Sequence, residues 1–313
     1  MVPAAVTLGA VVLLAGLAVD RLIGDPHTPL HPVALLGRFI RWWGRPECYS
    51  PKLQRAVGVV LWIVTVTIFT LPFVVFSAVA PWYLYLVLAP FLLKCCFAWR
   101  SLEEHTLAVV EALKEGVENG RGRVSMLVSR DTADLDREHI LSAGYESMTE
   151  NLTDSIVSPL VYFSVFGLAG AAVYRAANTM DAMLGYRDER ERIGWCAARM
   201  DDVLNYIPAR ITAVLLLLYF ACRGRFAPAW EVMRRDRHNR PGFNGGIVMA
   251  AMAGGTGTRF EKPGVYTIGD GGKSLDEAGP AIISATRAVT LVLAIVAGST
   301  LFLWGALINS TGI

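Results

Sequence analysis

Residues 56–93 read AVGVVLWIVTVTIFTLPFVVFSAVAPWYLYLVLAPFLL, 38 positions without one Asp, Glu, Lys or Arg. A bilayer core is crossed by roughly 20 mostly apolar residues, so the stretch is too long for one helix and long enough for two. Pro72 and Pro81 stand near its middle, and proline bends or ends a helix because it has no amide hydrogen to donate. The stretch therefore predicts a helical hairpin, with spans over about 56–71 and 74–93 and a tight turn at the membrane surface.

The rest of the chain repeats this division. All 29 Lys and Arg and all 27 Asp and Glu fall in four blocks, 20–55, 94–155, 175–210 and 223–287. With 54% apolar and 18% charged residues, the composition excludes disorder, collagen and a disulfide scaffold. A net charge of +2 is too small to suggest nucleic acid. Cys48, Cys95, Cys96, Cys196 and Cys222 form no CxxC pair and no zinc-like spacing.

The expected fold class is all-α: a polytopic integral membrane helical bundle with amphipathic cytoplasmic helices, forming a single membrane domain over 1–313. Its membrane segments lie at about 2–19, 56–71, 74–93, 156–174, 205–222 (partial) and 288–310, with polar insertions at 20–55, 94–155, 175–204 and 223–287. No Lys or Arg precedes the first segment, so it reads as a membrane helix rather than a signal peptide. Residues 211–222 continue a helical pattern begun at Trp195, giving a long helix whose polar first half is shielded by protein. Each polar block carries six or more basic residues, so the Lys/Arg bias barely orients the spans. Simple alternation puts 175–210 opposite 20–55 and 94–155; its chemical richness suggests instead a protein-lined cavity reached from their side.

Between the spans, Lys94–Leu127 has the pattern of one amphipathic helix, ended by Arg121-Gly122-Arg123. Ser129-Arg130-Asp131-Thr132 starts a second helix that runs through Asp154 into the membrane. Ser274-Leu275-Asp276-Glu277 has capping-box spacing and opens a helix toward the last span, with Pro280 marking a kink or break.

Chemistry-bearing residues cluster in five places. The run Gly24-Asp25-Pro26-His27, followed by His31, is a turn signal, and the intervening prolines prevent a helical pair of metal-binding histidines. Glu146, Glu150 and Asp154, spaced i, i+4, i+8, share one narrow helical face. Carboxylates at a membrane entrance, with no thiolate or paired histidine, suggest Mg²⁺. Arg175, Asn178 and Asp181 share a face ahead of Gly185-Tyr186-Arg187, and Arg199, Asp202, Asn205 and Tyr206 share another. Ion pairing between those two helices is the bland explanation. The fifth cluster runs from Arg240-Pro241-Gly242 to Gly269-Asp270-Gly271-Gly272-Lys273-Ser274. It is not a Walker A loop, because Thr267 stands where the first glycine is required, although Gly-rich backbone before a helix start can still cradle an anion.

Taken in order, Gly24-Asp25-Pro26, His31-Pro32-Val33, Glu146-x3-Glu150-Asn151-x2-Asp154, Asn178-Thr179-x-Asp181, Gly185-Tyr186-Arg187, Arg199-x-Asp201-Asp202-x2-Asn205-x-Ile207-Pro208-Ala209-Arg210 and Glu261-Lys262-Pro263-Gly264-x-Tyr266 resemble the adenosylcobinamide-phosphate synthase family of cobalamin biosynthesis, called CbiB or CobD. The resemblance covers about residues 15–285 and departs from the family pattern around Ala143-Gly144-Tyr145, Thr149 and Ser155. It implies an integral membrane ligase that joins the free propionate of adenosylcobyric acid to (R)-1-amino-2-propanol or its O-phosphate and consumes ATP.

Activating a carboxylate for that reaction calls for Mg²⁺ and cationic clamps on the transferring phosphoryl group. Glu146, Glu150 and Asp154 are accordingly expected at the Mg²⁺–nucleotide, and Arg187, Arg199 and Lys262 at phosphate or carboxylate groups. Asp181 or Asp202 would accept the proton of the incoming ammonium, with Arg199 beside them in the catalytic set. Asp25, His31, Asn178, Asn205, Arg210 and Tyr266 complete the substrate-binding set that the resemblance implies. The implied location is the cell membrane, multi-pass, with an active site open to the cytoplasm. The implied partners are the corrinoid, the amine, the lipid bilayer and either a second copy or other corrinoid-pathway enzymes. A membrane transporter of a corrinoid or other anion is the alternative, but no second half mirrors the first. A purely structural anchor for pathway enzymes would not need so many polar groups at membrane depth.

Overall fold

The structure, a computed structural model, describes residues 2–25 and 28–311, and the side chains of 8–25 and 28–307. His27 of the first cluster lies outside them. In chain order the helices are α1 (Val2–Ile23), α2 (Pro32–Trp43), α3 (Gln54–Val79), α4 (Trp82–Lys94), α5 (Trp99–Glu115), α6 (Val117–Val124), α7 (Arg137–Asn151), α8 (Ser158–Leu184), α9 (Trp195–Leu204), α10 (Tyr206–Cys222), α11 (Phe226–Asp236), α12 (Gly245–Thr256) and α13 (Leu275–Thr311). A π-helical turn, Leu152–Val157, joins α7 to α8, and strands β1 (Arg259–Lys262) and β2 (Tyr266–Gly269) precede α13. This is the all-α polytopic membrane protein expected, with one small hairpin added.

Length and hydropathy admit four helical stretches as membrane crossings: Gln54–Val79, Trp82–Glu115, Arg137–Leu184 and Leu275–Leu307. The broken pair Trp195–Leu204 and Tyr206–Cys222 would add a fifth. The chain, read above as one domain, divides into two compact units, Met1–Ala98 with Ser158–Asn205 and Ala294–Ile313, and Trp99–Val157 with Tyr206–Leu293.

In the first unit the apolar stretch 56–93 breaks at Ala80-Pro81, and Pro72 lies inside α3. Ala80 is extended, at φ −66° and ψ 130°, the conformation that a following proline favours. The amphipathic α2 buries Leu36, Ile40 and Trp43, and the Trp43 indole donates to Thr65 Oγ1 of α3 at 3.1 Å.

The predicted span at 156–174 takes another shape. Gly167 has φ +63° and ψ −156°, far from helical values. The rings of Tyr162 and Tyr174 stack with centroids 5.4 Å apart, whereas twelve residues of straight helix would separate them by about 18 Å. Ser158 Oγ and Tyr174 Oη both donate to Asn205 Oδ1, at 2.6 and 2.8 Å. A Cβ on Gly170 would stand 2.4 Å from the Tyr162 carbonyl oxygen. The chain therefore doubles back at Gly167, and α8 is a helical hairpin rather than the single straight span expected. Its tip carries the exposed apolar side chains of Val165 and Phe166.

In the second unit Gly116, at φ +146°, divides the predicted helix of Lys94–Leu127 into α5 and α6. The next helix begins at Arg137 rather than Ser129, because Asp136 caps it by accepting the His139 N–H at 2.9 Å. The expected long helix through Arg210 is interrupted at Asn205, between α9 and α10. In β1–β2, Lys262-Pro263-Gly264-Val265 is a tight turn. The Val265 N–H donates to the Lys262 carbonyl at 2.9 Å and Gly264 has φ +70°, the type II arrangement with proline at i+1 and glycine at i+2. The capping expected at Ser274 is present, its Oγ accepting from Glu277 N–H at 3.3 Å. Pro280 sits inside α13 without breaking it.

Candidate functional site

A cavity of about 290 Å³ opens in the second unit between α7, the loop before α12 and the β-hairpin, with Arg130, Glu146, Glu150, Arg240, Lys262 and Tyr266 in its wall. The hairpin brings two of these in as directly opposed partners, Lys262 on β1 and Tyr266 on β2. It is docked on α7 by the Glu261 N–H, which donates to Ser142 Oγ at 2.7 Å.

Glu146 is buried and surrounded by donors. Ser142 Oγ lies 2.5 Å from Oε1, while Tyr266 Oη at 2.6 Å and Arg130 Nη2 at 3.1 Å donate to Oε2. Burial and the Glu146 charge push the Tyr266 phenol above its ordinary range, so it remains a donor. Arg240 pairs with Glu150. Burial disfavours the Arg240 charge, but Glu150, Tyr266 and Asp154 together hold its pKa above the ordinary arginine range. A Cβ on Gly245 would stand 2.6 Å from Arg240 Nη1, so glycine at 245 lets the guanidinium fold back toward the cavity. Arg210 holds the same loop, donating to Asn244 Oδ1 at 2.6 Å and to the Phe243 carbonyl at 3.2 Å.

Of the sequence-predicted residues, the cavity thus gathers Glu146, Glu150, Lys262 and Tyr266, and Arg210 braces its loop. No three His, Cys, Asp or Glu side chains among the described residues converge as a ready metal site. Glu146 is turned to its three donors and Glu150 to Arg240. Asp154 falls in the π turn, and its charge acts on Arg240 together with that of Glu150. Magnesium bound with phosphate takes only one or two carboxylates, and Glu150 and Asp154 are the two of the expected set whose charges act on Arg240.

The remaining predicted residues belong to the first unit. Gly24, at φ +74°, closes α1 by donating to the Asp20 carbonyl at 3.0 Å, and presents Asp25 to Lys94, which pairs with Asp25 at 2.5 Å and with buried Asp20 at 3.0 Å. His31 caps α2, its Nδ1 accepting from the Val33 N–H at 3.3 Å. Burial, with Lys94 and Arg175 and against Asp25, holds its pKa below the ordinary histidine range. Asn178 donates to Asp201 Oδ1 at 3.2 Å and Asn205 to Oδ2 at 2.9 Å. Asp181 packs over Gly185, where a Cβ would stand 2.0 Å from its Oδ1. Arg199 lies 3.7 Å from Asp202, and Arg187 is exposed.

At the Gly269–Ser274 loop, Glu138 Oε1 accepts the Leu275 N–H at 3.0 Å and the Gly257 carbonyl accepts the Lys273 N–H at 2.9 Å, so these two donors at the start of α13 are already matched. The residues that the sequence reading passed over are Arg130, Arg240, Ser142 and Lys94. Arg240 stood in a noted Gly-rich cluster and Arg130 at an expected helix start, but neither spacing pointed to chemistry.

The chain is similar to known proteins along most of its length. The family described as CobD/Cbib protein matches residues 13–297. "Probable cobalamin biosynthesis protein CobD" of Methanothermobacter thermautotrophicus is 44% identical over 272 residues, 85% of this chain and 88% of that protein. The protein of the same description from Thermococcus kodakarensis is 45% identical, covering 81% and 83%. "Cobalamin biosynthesis protein CobD" of Dehalococcoides mccartyi is 36% identical, covering 83% and 86%. No solved structure matches the chain.

Proposed function

The chain belongs to the CobD/CbiB family and has a role in cobalamin biosynthesis, and from that membership we propose that it is an ATP-dependent ligase joining adenosylcobyric acid to (R)-1-amino-2-propanol or its O-phosphate. The observation that carries the reading is the cavity of the second unit, where Arg130, Arg240 and Lys262 stand beside Glu146 and Glu150. Cations paired closely with carboxylates are what transfer of a phosphoryl group requires: positive groups for the moving charge and oxygen ligands for its metal.

The free propionate attacks the terminal phosphorus of ATP, forming an acyl phosphate and releasing ADP. The amine nitrogen then attacks the acyl carbon; the C–N bond forms, the C–O bond breaks, and inorganic phosphate leaves. Magnesium, when bound with the nucleotide, would offset the charge of its phosphates. Lys262, Arg187 and Arg199 are the proposed contacts to phosphate or carboxylate, and Glu150 and Asp154 the proposed oxygen ligands. Tyr266 fixes Glu146 by its hydrogen bond. Asp181 or Asp202, in the first unit, is the proposed acceptor of the ammonium proton.

In a membrane assay, loss of adenosylcobyric acid and ATP should match the gain of a product of the amide's mass, and Glu150→Gln and Asp202→Asn should each abolish it. Normal product from both variants would overturn the residue assignment. Corrinoid uptake into proteoliposomes without ATP or amine would replace the ligase reading with a transporter.

A further inference from the structure

We infer that the cavity of the second unit is a phosphoryl-binding subsite built on Arg130 and Arg240, two residues outside every motif that carries the family resemblance. The inference rests on the ligase reading only for the source of the phosphoryl group.

Arg130 is the more telling of the two. Its side chain is only 11% exposed, and one guanidinium nitrogen, Nη2, is taken by Glu146. Nη1 is buried and has no hydrogen-bond partner. A buried donor without an acceptor is costly, and more so when it carries charge, so an unmatched guanidinium nitrogen in the wall of a cavity calls for an anion. The Lys262 side chain, in the same wall, has no ion-pair or hydrogen-bond partner among the described residues. The wall thus sets three cations against the two carboxylates of Glu146 and Glu150, and Glu146 is already spent on its three donors. What is left over is positive.

The chemistry of the leftover donors defines the ligand. Arginine's planar fork matches phosphate and carboxylate oxygens in pairs, while a lysine ammonium adds a point charge. Phosphate, with more oxygens and more charge than a carboxylate, can engage Arg130, Arg240 and Lys262 together. The volume of about 290 Å³ lies at the small end of ligand pockets, about 300–1,000 Å³, so the cavity suits a phosphate or a short phosphate chain and does not enclose a corrin macrocycle. The loop geometry supports Arg240 in this role. Glycine at 245 leaves room for its guanidinium, and Arg210 ties down Phe243 and Asn244. Arg240, now paired with Glu150, would exchange that partner for the incoming group.

The test is direct binding to the full chain in detergent, with inorganic tripolyphosphate, ATP and the O-phosphate of 1-amino-2-propanol as probes. Wild-type protein is expected to bind at least one of them, with affinity falling as salt rises. Arg130→Gln, Arg240→Gln and Lys262→Met should each weaken that binding about tenfold or more. Lys262→Met is the control against misfolding, since it leaves no ion-pair partner behind. Competition distinguishes the sources: tripolyphosphate displaced by ATP alone assigns the site to the nucleotide, and by the phosphorylated amine alone to the amine. Failure of all three probes to bind, or wild-type affinity in folded Arg130→Gln and Arg240→Gln variants, would overturn the inference. Phosphate binding without any amide formation would remove the ligase reading and leave the subsite standing. Amide formation unchanged in both arginine variants would remove the subsite and leave the ligase reading.

Discussion

Asn205 in the first unit and Arg130 in the second are both polar side chains largely withdrawn from water, and they are treated differently. The amide of Asn205 accepts from Ser158 and Tyr174 and donates to Asp201. Lys94, in the same unit, lies between the carboxylates of Asp20 and Asp25. Arg130 keeps a buried nitrogen without a partner, beside the half-buried Lys262, whose side chain has no partner among the described residues. A closed network such as that around Asn205 holds elements together, because the Asn205 amide has its hydrogen bonds. Open ones of the second kind are stabilised by what binds them. Membrane depth alone therefore does not mark a catalytic group; unfinished hydrogen bonding is the better guide.

The sharpest way to break this comparison is Lys94→Met. Removing the cation from between Asp20 and Asp25 should cost about 3–5 kcal/mol, as for other buried pairs deprived of one partner, read as a lower midpoint in unfolding of the solubilised chain. Asn205→Ala should come next, at about 1–3 kcal/mol for hydroxyls left without an acceptor, and should loosen the α8 hairpin in hydrogen exchange at Tyr162 and Tyr174. Tyr266→Phe should cost only about 1 kcal/mol yet reduce product formation, since Glu146 retains Ser142 and Arg130. Were Tyr266→Phe as destabilising as Asn205→Ala, the distinction between closed and open networks would fail. Lys262→Met should leave stability within about 0.5 kcal/mol of wild type.

The smallest effect concerns pH. The His139 backbone N–H, aided by the His139 side chain, holds the Asp136 carboxyl below its ordinary range. A carboxylate depressed by folding stabilises the native state above its unfolded pKa of about 3.9 and loses that contribution as pH falls through the folded value. Acid unfolding should therefore be less steep in Asp136→Asn, whose midpoint should change little over the same range.

Much of the architecture was readable in advance. The uncharged stretches gave the all-α membrane class and Ser274 gave the start of α13, while no strand pattern announced β1 and β2. The errors have a common cause. Pro72 and Pro81 offer the same local signal, and only packing decides which one bends the chain. Periodicity likewise read one continuous α-helix through Asp154, because it assumes 3.6 residues per turn where the chain adopts a π turn.

By itself the sequence determined that this protein lives in a membrane, that its charges are confined to blocks between apolar segments, and that its motifs are those of the CobD/CbiB family. Those properties are local, set by runs of a few tens of residues against the thickness of a bilayer. The tertiary structure decided that 156–174 turns back at Gly167, and that Arg130 from one loop and Arg240 from another face one cavity with Lys262 and Tyr266. Such juxtapositions depend on which distant segments pack together, and no spacing along the chain encodes them.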